Sequence, residues 1–118
     1  NLLAGKKIPV YGNGLNVRDW IHVSDHVLGI DAVFHKGRSG EIYNLRGGNE
    51  IPNIEITKKL IALSGHGDEV IEFVTDRLGH DIRYALDSSK AMRELGWKPK
   101  VDFATGLADT FAYYKSKS

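Results

Sequence analysis

The sequence contains no cysteine, a single methionine and only three prolines among its 118 residues. Without cysteine the chain can form neither a disulfide nor a thiolate metal site, which fits a reducing compartment such as the cytoplasm. No apolar run is long enough to cross a bilayer, and residues 1–7 are too short for the hydrophobic region of a signal peptide. We therefore expect a cytoplasmic protein that does not enter a membrane.

The chain also lacks an excess of charge of either sign, because 16 basic residues face 15 acidic ones and the formal charge is +1. Such a surface has no net field that would attract DNA or RNA, so nucleic acid is not an expected partner. The apolar fraction of 42% and the charged fraction of 26% are typical of a globular domain. A chain of this length suits one hydrophobic core, and we expect residues 1–118 to form one unit.

Short strand-like and helix-like segments alternate along the chain, as judged from β-favouring runs and from apolar residues at helical spacing. The predicted strands are 7–11, 17–23, 41–45, 70–74 and 83–86. The predicted helices begin at caps on Ser24 or Asp25, Asn53, Asp87 and Asp102. This order indicates an α/β fold with few short strands and about four helices. Residues 1–5 are typical of a helix end with a glycine cap, so we expect further chain upstream.

Three segments combine charged or aromatic side chains with turn residues. They occupy residues 9–14, 17–20 and 76–80. Arg18 and Arg77 offer planar guanidinium donors that suit phosphate oxygens, although each precedes or follows an aspartate and could form a surface ion pair instead. Tyr11 could stack on a nucleotide base or pack half-buried in the fold, and a helix cap would explain Asn53 equally well. From residue types alone these alternatives stay open.

Neither a metal site nor a dinucleotide site is predicted. His22 and His26 have the i, i+4 spacing of helical zinc ligands, but a helix is expected to begin between them, and no third ligand follows at a suitable spacing. A Gly-x-Gly-x-x-Gly turn begins at Gly12 and again at Gly65, but valine stands in its last position both times. The glycine fingerprint is therefore absent.

Longer motifs, taken in order, resemble dTDP-glucose 4,6-dehydratases, which are members of the extended short-chain dehydrogenase/reductase family. The matching stretches are residues 3–6, 9–14, 17–23, 41–45, 76–85 and 94–99. The Arg-Asp-Trp segment at 18–20 is shared with many sugar-nucleotide epimerases, whereas the Asp-Arg-x-Gly-His-Asp-x-Arg-Tyr motif at 76–84 is typical of the dehydratases. Leu78 stands where the family usually has proline. The resemblance spans nearly the whole chain and corresponds to the C-terminal third of such an enzyme.

The resemblance implies an NAD-binding Rossmann half followed by a smaller sugar-nucleotide-binding half, of which this chain is the latter. With NAD such an enzyme oxidises C4 of the hexose, eliminates water across C5 and C6, and returns the hydride to C6. The implied ligand is a dTDP-sugar. Pro9, Val10 and Tyr11 would line the base pocket, Arg18 and Arg77 would hold the diphosphate, Asn53 would contact the nucleotide, and the loop of Asp76, Arg77, Leu78, Gly79 and His80 would close over it.

The same resemblance implies that the catalytic residues and the NAD site lie in the N-terminal half, so this chain alone is expected to bind no NAD and to catalyse nothing. A homodimer is also expected, as is common in the family. Two alternatives stay open: a UDP-sugar epimerase or decarboxylase, against which His80 and Arg83 argue, and a non-catalytic binding or interaction module. Without the N-terminal half, apolar faces of helix 27–34 and segment 41–45 are expected to be exposed.

Overall fold

The computed structural model describes residues 1–118 and contains four short strands, four α-helices and one 3₁₀ turn, Asp68–Val70. The strands are β1 (Ile8–Tyr11), β2 (Val17–Trp20), β3 (Asn49–Pro52) and β4 (Ile71–Val74). The helices are α1 (Val23–Lys36), α2 (Asn53–Ser64), α3 (Ser89–Leu95) and α4 (Phe103–Lys117). The predicted α/β class, with few short strands and four helices, is confirmed. None of the helices, the longest of which has 15 residues, is long and apolar enough to span a membrane.

The strands form two separate two-stranded sheets. β1 and β4 are parallel, with Ile8 opposite Ile71 and Tyr11 opposite Val74. β2 and β3 are antiparallel. Because both strands of a parallel pair end at the same edge, the segments that follow β1 and β4 start side by side.

The turn between β1 and β2 packs on the first residues of α2. Gly14 has φ +73°, and a Cβ atom there would lie 2.8 Å from the side chains of Ile54 and Val10, so a larger residue would be both strained and crowded. The Ile54 amide donates a hydrogen bond of 2.8 Å to the Gly14 carbonyl. This glycine therefore brings the β1–β2 turn into contact with the start of α2.

The best-packed core lies between α1 and α3. Ala91, Leu95 and Trp97 are buried, and five partly buried apolar residues pack around them: Ile21, Ala32, Val33, Tyr43 and Leu45. The buried carboxylate of Asp25 accepts hydrogen bonds from the Lys100 and Val101 amides at 3.0 and 2.9 Å. The Trp97 indole donates to the Asp25 carbonyl at 3.0 Å. These bonds join α1 to the segment before α4 and leave the buried carboxylate satisfied.

Three strand predictions were wrong because pairing, and not local propensity, decides which segments form a ladder. Residues 41–45 form no strand, since no neighbouring strand of this chain pairs with them. Residues 49–52, expected to be loop, form β3 because β2 supplies a partner. Residues 83–86 form only one bridge, from Arg83 to Val17.

The helix starts were predicted to within a few residues, but several caps differ. His22 caps α1, with its ring nitrogen accepting from the Ser24 amide at 3.2 Å, so the predicted caps Ser24 and Asp25 are helical. Asn53 is the first residue of α2 and makes no capping bond, because Pro52 occupies the cap position. Ser88 occupies the cap position of α3 without a side-chain capping bond, and the predicted cap Asp87, one residue earlier, accepts from the Ser89 amide at 2.9 Å. Asp102 caps α4 as predicted.

One face of α1 is exposed and apolar, as predicted for helix 27–34. Val27, Ile30 and Phe34 retain 55%, 53% and 83% of their accessible surface. Val33, which lies in the same helix, packs against the core of Ala91, Leu95 and Trp97. We call the surface formed by Val27, Ile30 and Phe34 the α1 face.

Candidate functional site

Two of the three chemistry-bearing segments meet at the edge where β1 and β4 end. The guanidinium carbon of Arg77 lies 4.6 Å from the centre of the Tyr11 ring, and its Nη2 donates to the tyrosine hydroxyl at 3.3 Å. This hydrogen bond is the main reason why the pKa of Arg77 is raised. The His80 ring stands nearly perpendicular to Tyr11, with 6.2 Å between the ring centres. An aromatic face and a permanent cation therefore share one exposed surface, and the largely buried His80 imidazole lies beside them.

Asp76 organises the loop that bears Arg77 and His80. Its Oδ1 atom lies 2.8 Å from Nδ1 of His80 and accepts from the Arg77 amide, also at 2.8 Å. The hydrogen bond from His80, followed by that from the Arg77 amide, lowers the pKa of Asp76. A Cβ atom on Gly12, which has φ +58°, would lie 2.9 Å from Oδ2 of Asp76. The loop thus closes on itself and rests against the β1–β2 turn.

Arg18 lies on β2 and is held by backbone carbonyls. Its Nη1 donates to the carbonyls of Val17 and Asp81 at 2.8 and 3.0 Å. The neighbouring Asp19 is occupied elsewhere, since its carboxylate accepts from the Gly47 and Asn49 amides at 2.8 and 2.9 Å. The guanidinium therefore has no acidic partner, and its Nε and Nη2 donors make no hydrogen bond within the chain.

The ion pairs considered for the two arginines do not form. The arginines that do contact carboxylates are Arg38, Arg46 and Arg83. Arg18 does not pair with Asp19, and Arg77 meets Asp76 only through its backbone amide. The Arg18 and Arg77 guanidinium groups are therefore available for an anion, which favours the phosphate interpretation over the ion-pair interpretation for these two residues.

The remaining predicted site residues occupy different depths. Val10 is buried beneath the β1–β2 turn, whereas Pro9 is exposed. Leu78 is fully exposed at the tip of the loop, and Gly79 beside it has φ +71°. Asn53 is half-buried at the start of α2, where its backbone amide donates to the backbone carbonyl of Asn16 at 3.0 Å.

Two polar residues near these segments escaped the sequence analysis. Asn16 is buried, and its side-chain amide donates to the Asp81 carbonyl at 2.9 Å. Glu50 accepts from Arg83 at 2.6 and 2.8 Å and from Arg46 at 3.1 Å, and the bond from Arg83 is the main reason why its pKa is lowered. The Asn16 and Arg83 contacts join residues 65 and 33 positions apart, which a single sequence does not reveal.

A cavity of about 330 Å³ lies apart from this cluster. It is lined mainly by apolar residues of α2 and α4 together with Trp20, and no predicted site residue takes part. One wall is formed by four side chains of α4: Phe103, Leu107, Phe111 and Tyr114. The candidate nucleotide site is therefore an open surface between loops and lies outside this cavity.

The glycine turns of this chain do not suit a dinucleotide. A pyrophosphate is held where a strand leads through glycines into a helix N-terminus. The turn at Gly12 leads into strand β2, and the one at Gly65 leads into the 3₁₀ turn. Neither turn therefore has the arrangement that holds the pyrophosphate of a dinucleotide. No three histidine or acidic side chains come together as a metal-binding group either, and His22 is engaged as a helix cap.

The α/β fold of the chain matches the C-terminal portion of an extended short-chain dehydrogenase/reductase. The model of the family described as GDP-mannose 4,6 dehydratase matches residues 1–110. The chain belongs to this family.

Among the proteins it resembles is the dTDP-glucose 4,6-dehydratase of Streptomyces antibioticus, 51% identical over 115 residues that cover 98% of this chain and 34% of the relative. A solved dTDP-glucose 4,6-dehydratase from Streptomyces venezuelae, with NAD bound, superposes with a TM-score of 0.94 at 48% identity, covering 98% of this chain and 36% of that one. A UDP-glucose 4-epimerase of Thermotoga maritima with UDP-glucose shares the fold at a TM-score of 0.89 but only 30% identity, covering 98% and 37%. The chain spans about a third of the length of these relatives.

Proposed function

We propose that this chain is the sugar-nucleotide-binding portion of a dTDP-glucose 4,6-dehydratase, formed as one unit by residues 1–118. The whole enzyme would use NAD to oxidise C4 of the hexose, eliminate water across C5 and C6, and reduce C6. In this division the chain binds and orients the dTDP-sugar, and the N-terminal portion supplies NAD and the reacting side chains. The greater identity to dehydratases than to the epimerase, 48–51% against 30%, supports this choice of substrate.

The observation that supports the proposal most strongly is the parallel pairing of β1 with β4. This pairing brings Tyr11 and Arg77, 66 residues apart in sequence, into contact. An aromatic face for a base thus lies next to a cation for a phosphate, which is the combination that a nucleoside diphosphate requires. Neither group is committed to a carboxylate of this chain.

Arg18 would add a second cation from β2. Its Nη1 is used by two carbonyls, which fix the plane of the guanidinium and leave Nε and Nη2 as an oriented pair of donors. A fixed fork of this kind loses little side-chain entropy when it binds a diphosphate. Arg77, in contrast, is exposed on a loop and would turn from the Tyr11 hydroxyl toward the ligand.

The loop 76–80 would close over the nucleotide, as the family resemblance implies. Leu78 makes the loop less restricted in φ than the proline usual in the family, and Gly79 already adopts a positive φ. Both features favour a loop that can adjust its backbone when ligand arrives. Asn53, half-buried at the start of α2, would contact the nucleotide from the opposite side of the β1–β2 turn.

Calorimetric titration of the chain with dTDP, UDP and NAD tests this proposal. We expect binding of dTDP, weaker binding of UDP and no binding of NAD, since the glycine turns do not suit a dinucleotide. Arg77→Ala should weaken dTDP binding, and Arg93→Ala, which removes an exposed arginine of α3, is the matched control. Tighter binding of UDP than of dTDP would favour the epimerase alternative, and no nucleotide binding would favour the interaction module.

A further inference from the structure

Asn16 is a buried polar residue, 6% exposed, in the short segment between β1 and β2. Its side-chain Nδ2 donates to the Asp81 carbonyl at 2.9 Å, and its own carbonyl accepts from the Asn53 amide at 3.0 Å. One residue therefore joins the end of the Arg77 loop to the first residue of α2. Its side chain is too deep to meet a ligand on the surface.

The Asp81 carbonyl is shared between Asn16 and Arg18. Arg18 Nη1 donates to it at 3.0 Å, so the same oxygen orients a guanidinium and terminates the loop. Just beyond it, the Val17 amide donates to the Ile82 carbonyl at 2.7 Å, and the Tyr84 amide donates to the Val17 carbonyl at 3.1 Å. At its other end the loop is fixed to β1, because the Gly12 amide donates to Val74 at 2.9 Å. The loop with Arg77 is thus held by hydrogen bonds at both ends, and Asn16 is the buried side chain at one of these ends.

We infer that Asn16 is a positioning residue for the sugar-nucleotide site: it acts through the Asp81 carbonyl to hold Arg18, the Arg77 loop and Asn53 in one arrangement. This inference rests on the proposed function. It differs from a general contribution to folding, because the groups that depend on Asn16 are those assigned to the ligand. Loss of its N–H donor should therefore weaken nucleotide binding more than it alters the rest of the fold.

Asn16→Asp provides a test that a general packing role would not pass. The substitution keeps the shape of the side chain but turns an oxygen toward the Asp81 carbonyl in place of the N–H donor. When the new carboxyl is protonated its O–H can donate again, so the defect should diminish as pH falls. Burial raises the pKa of such a carboxyl, whereas Arg18 on the same carbonyl lowers it; the exposed Asp81 carboxylate is the neighbouring acidic group.

We expect Asn16→Asp to bind dTDP about tenfold more weakly than the parent chain at pH 8, and the ratio to shrink severalfold at pH 5.5. Asn13→Asp is the matched control, because Asn13 is exposed in the same turn and its side-chain oxygen accepts from the Leu15 amide, as a carboxylate also would. It should stay within about twofold of the parent at both pH values. Affinity of Asn16→Asp within twofold at pH 8, or an equal loss at both pH values, would overturn the inference.

Hydrogen exchange without ligand separates this inference from the proposed function. In Asn16→Asp at pH 8 the Val17 and Tyr84 amides, which tie β2 to the end of the loop, should exchange faster than in Asn13→Asp. The Gly106 amide inside α4 should be unchanged. Equal acceleration at all three, or none at all, would overturn the positioning role. If the parent bound no dTDP, the proposed function would fail while these exchange rates still decided whether Asn16 anchors the loop.

Discussion

The loop side of the molecule and the α1 side differ in how completely their groups find partners within the chain. On the loop side, Asp76 accepts hydrogen bonds within its own loop, and Arg77 and Asn16 donate to neighbouring segments. On the α1 side the apolar face is open, and residues 41–45 lie without a strand partner. The side with the candidate site is thus held by contacts within the chain. The α1 side, in contrast, leaves apolar surface and unpaired backbone groups exposed.

The largest expected difference concerns catalysis. The chain alone should give no turnover of dTDP-glucose, because the proposed function assigns NAD binding and proton transfer to the N-terminal portion of the enzyme. Supplying the N-terminal portion of a related dehydratase should restore formation of the 4-keto-6-deoxy product. A sensitive assay of the purified chain, with NAD added, checks this. Turnover by the chain alone would show that its α1 side needs no partner. It would also contradict the proposal that the N-terminal portion supplies NAD and the reacting side chains.

The stability of the two sides can be compared by substitution of one aromatic residue in each. Trp97→Ala should lower the free energy of unfolding by about 3–5 kcal/mol, since it empties a core site and removes the indole bond to Asp25. Phe34→Ala on the α1 face should change it by less than about 0.5 kcal/mol. Urea unfolding of both variants measures the contrast. Equal losses would mean that Phe34 is buried in solution.

The two arginines should both matter for dTDP affinity but differ in their effect on stability. Replacing either by alanine should remove about 1.5–3 kcal/mol of binding, which raises the dissociation constant for dTDP roughly ten- to a hundredfold. Lysine should rescue only in part, because a point charge does not reproduce the planar fork.

Thermal unfolding of the same variants sharpens the comparison. Arg18→Ala should lower the free energy of unfolding by about 1 kcal/mol, because two backbone carbonyls lose their hydrogen-bond donor. Arg77→Ala should change the free energy of unfolding little. Unchanged affinity in both variants would contradict the site assignment.

The smallest expected effect concerns association of the chain with itself. The α1 face should promote self-association at high protein concentration, and Ile30→Ser should reduce it. Leu15→Ser is the control, because Leu15 is similarly exposed, 57% against 53%, but lies in the β1–β2 segment. Sedimentation over a range of concentrations measures both. A parent chain that stays monomeric at high concentration would show that the open face does not associate.

Local sequence patterns predicted the elements that depend on local chemistry. The capping of α4 by Asp102 follows from cap preferences and was found as expected. Pairing between distant segments was not predictable in this way. The segment Asn49–Pro52 is polar and ends in proline, so its pairing with β2 was missed, while residues 41–45 have strand composition but no partner.

The same division applies to the candidate site. The resemblance supplied Tyr11, Arg77 and His80, and the structure brings these three together through the β1–β4 pair. It gave no indication of Asn16 or Glu50, because buried polar residues of this kind are recognised by what they contact and not by their neighbours in sequence. Single-sequence reasoning therefore found the groups that would face the ligand and missed those that hold them.

The most direct test of the site is an NMR titration that follows the arginine Nε–H signals of the ¹⁵N-labelled chain as dTDP is added. The signals of Arg18 and Arg77 should shift and saturate together, since both guanidinium groups would bind one diphosphate. The signal of Arg93 on α3 should stay in place, and so should that of Arg83, which Glu50 already engages. Movement of Arg83 or Arg93 without movement of Arg18 and Arg77, or no saturable shift at all, would contradict the assignment.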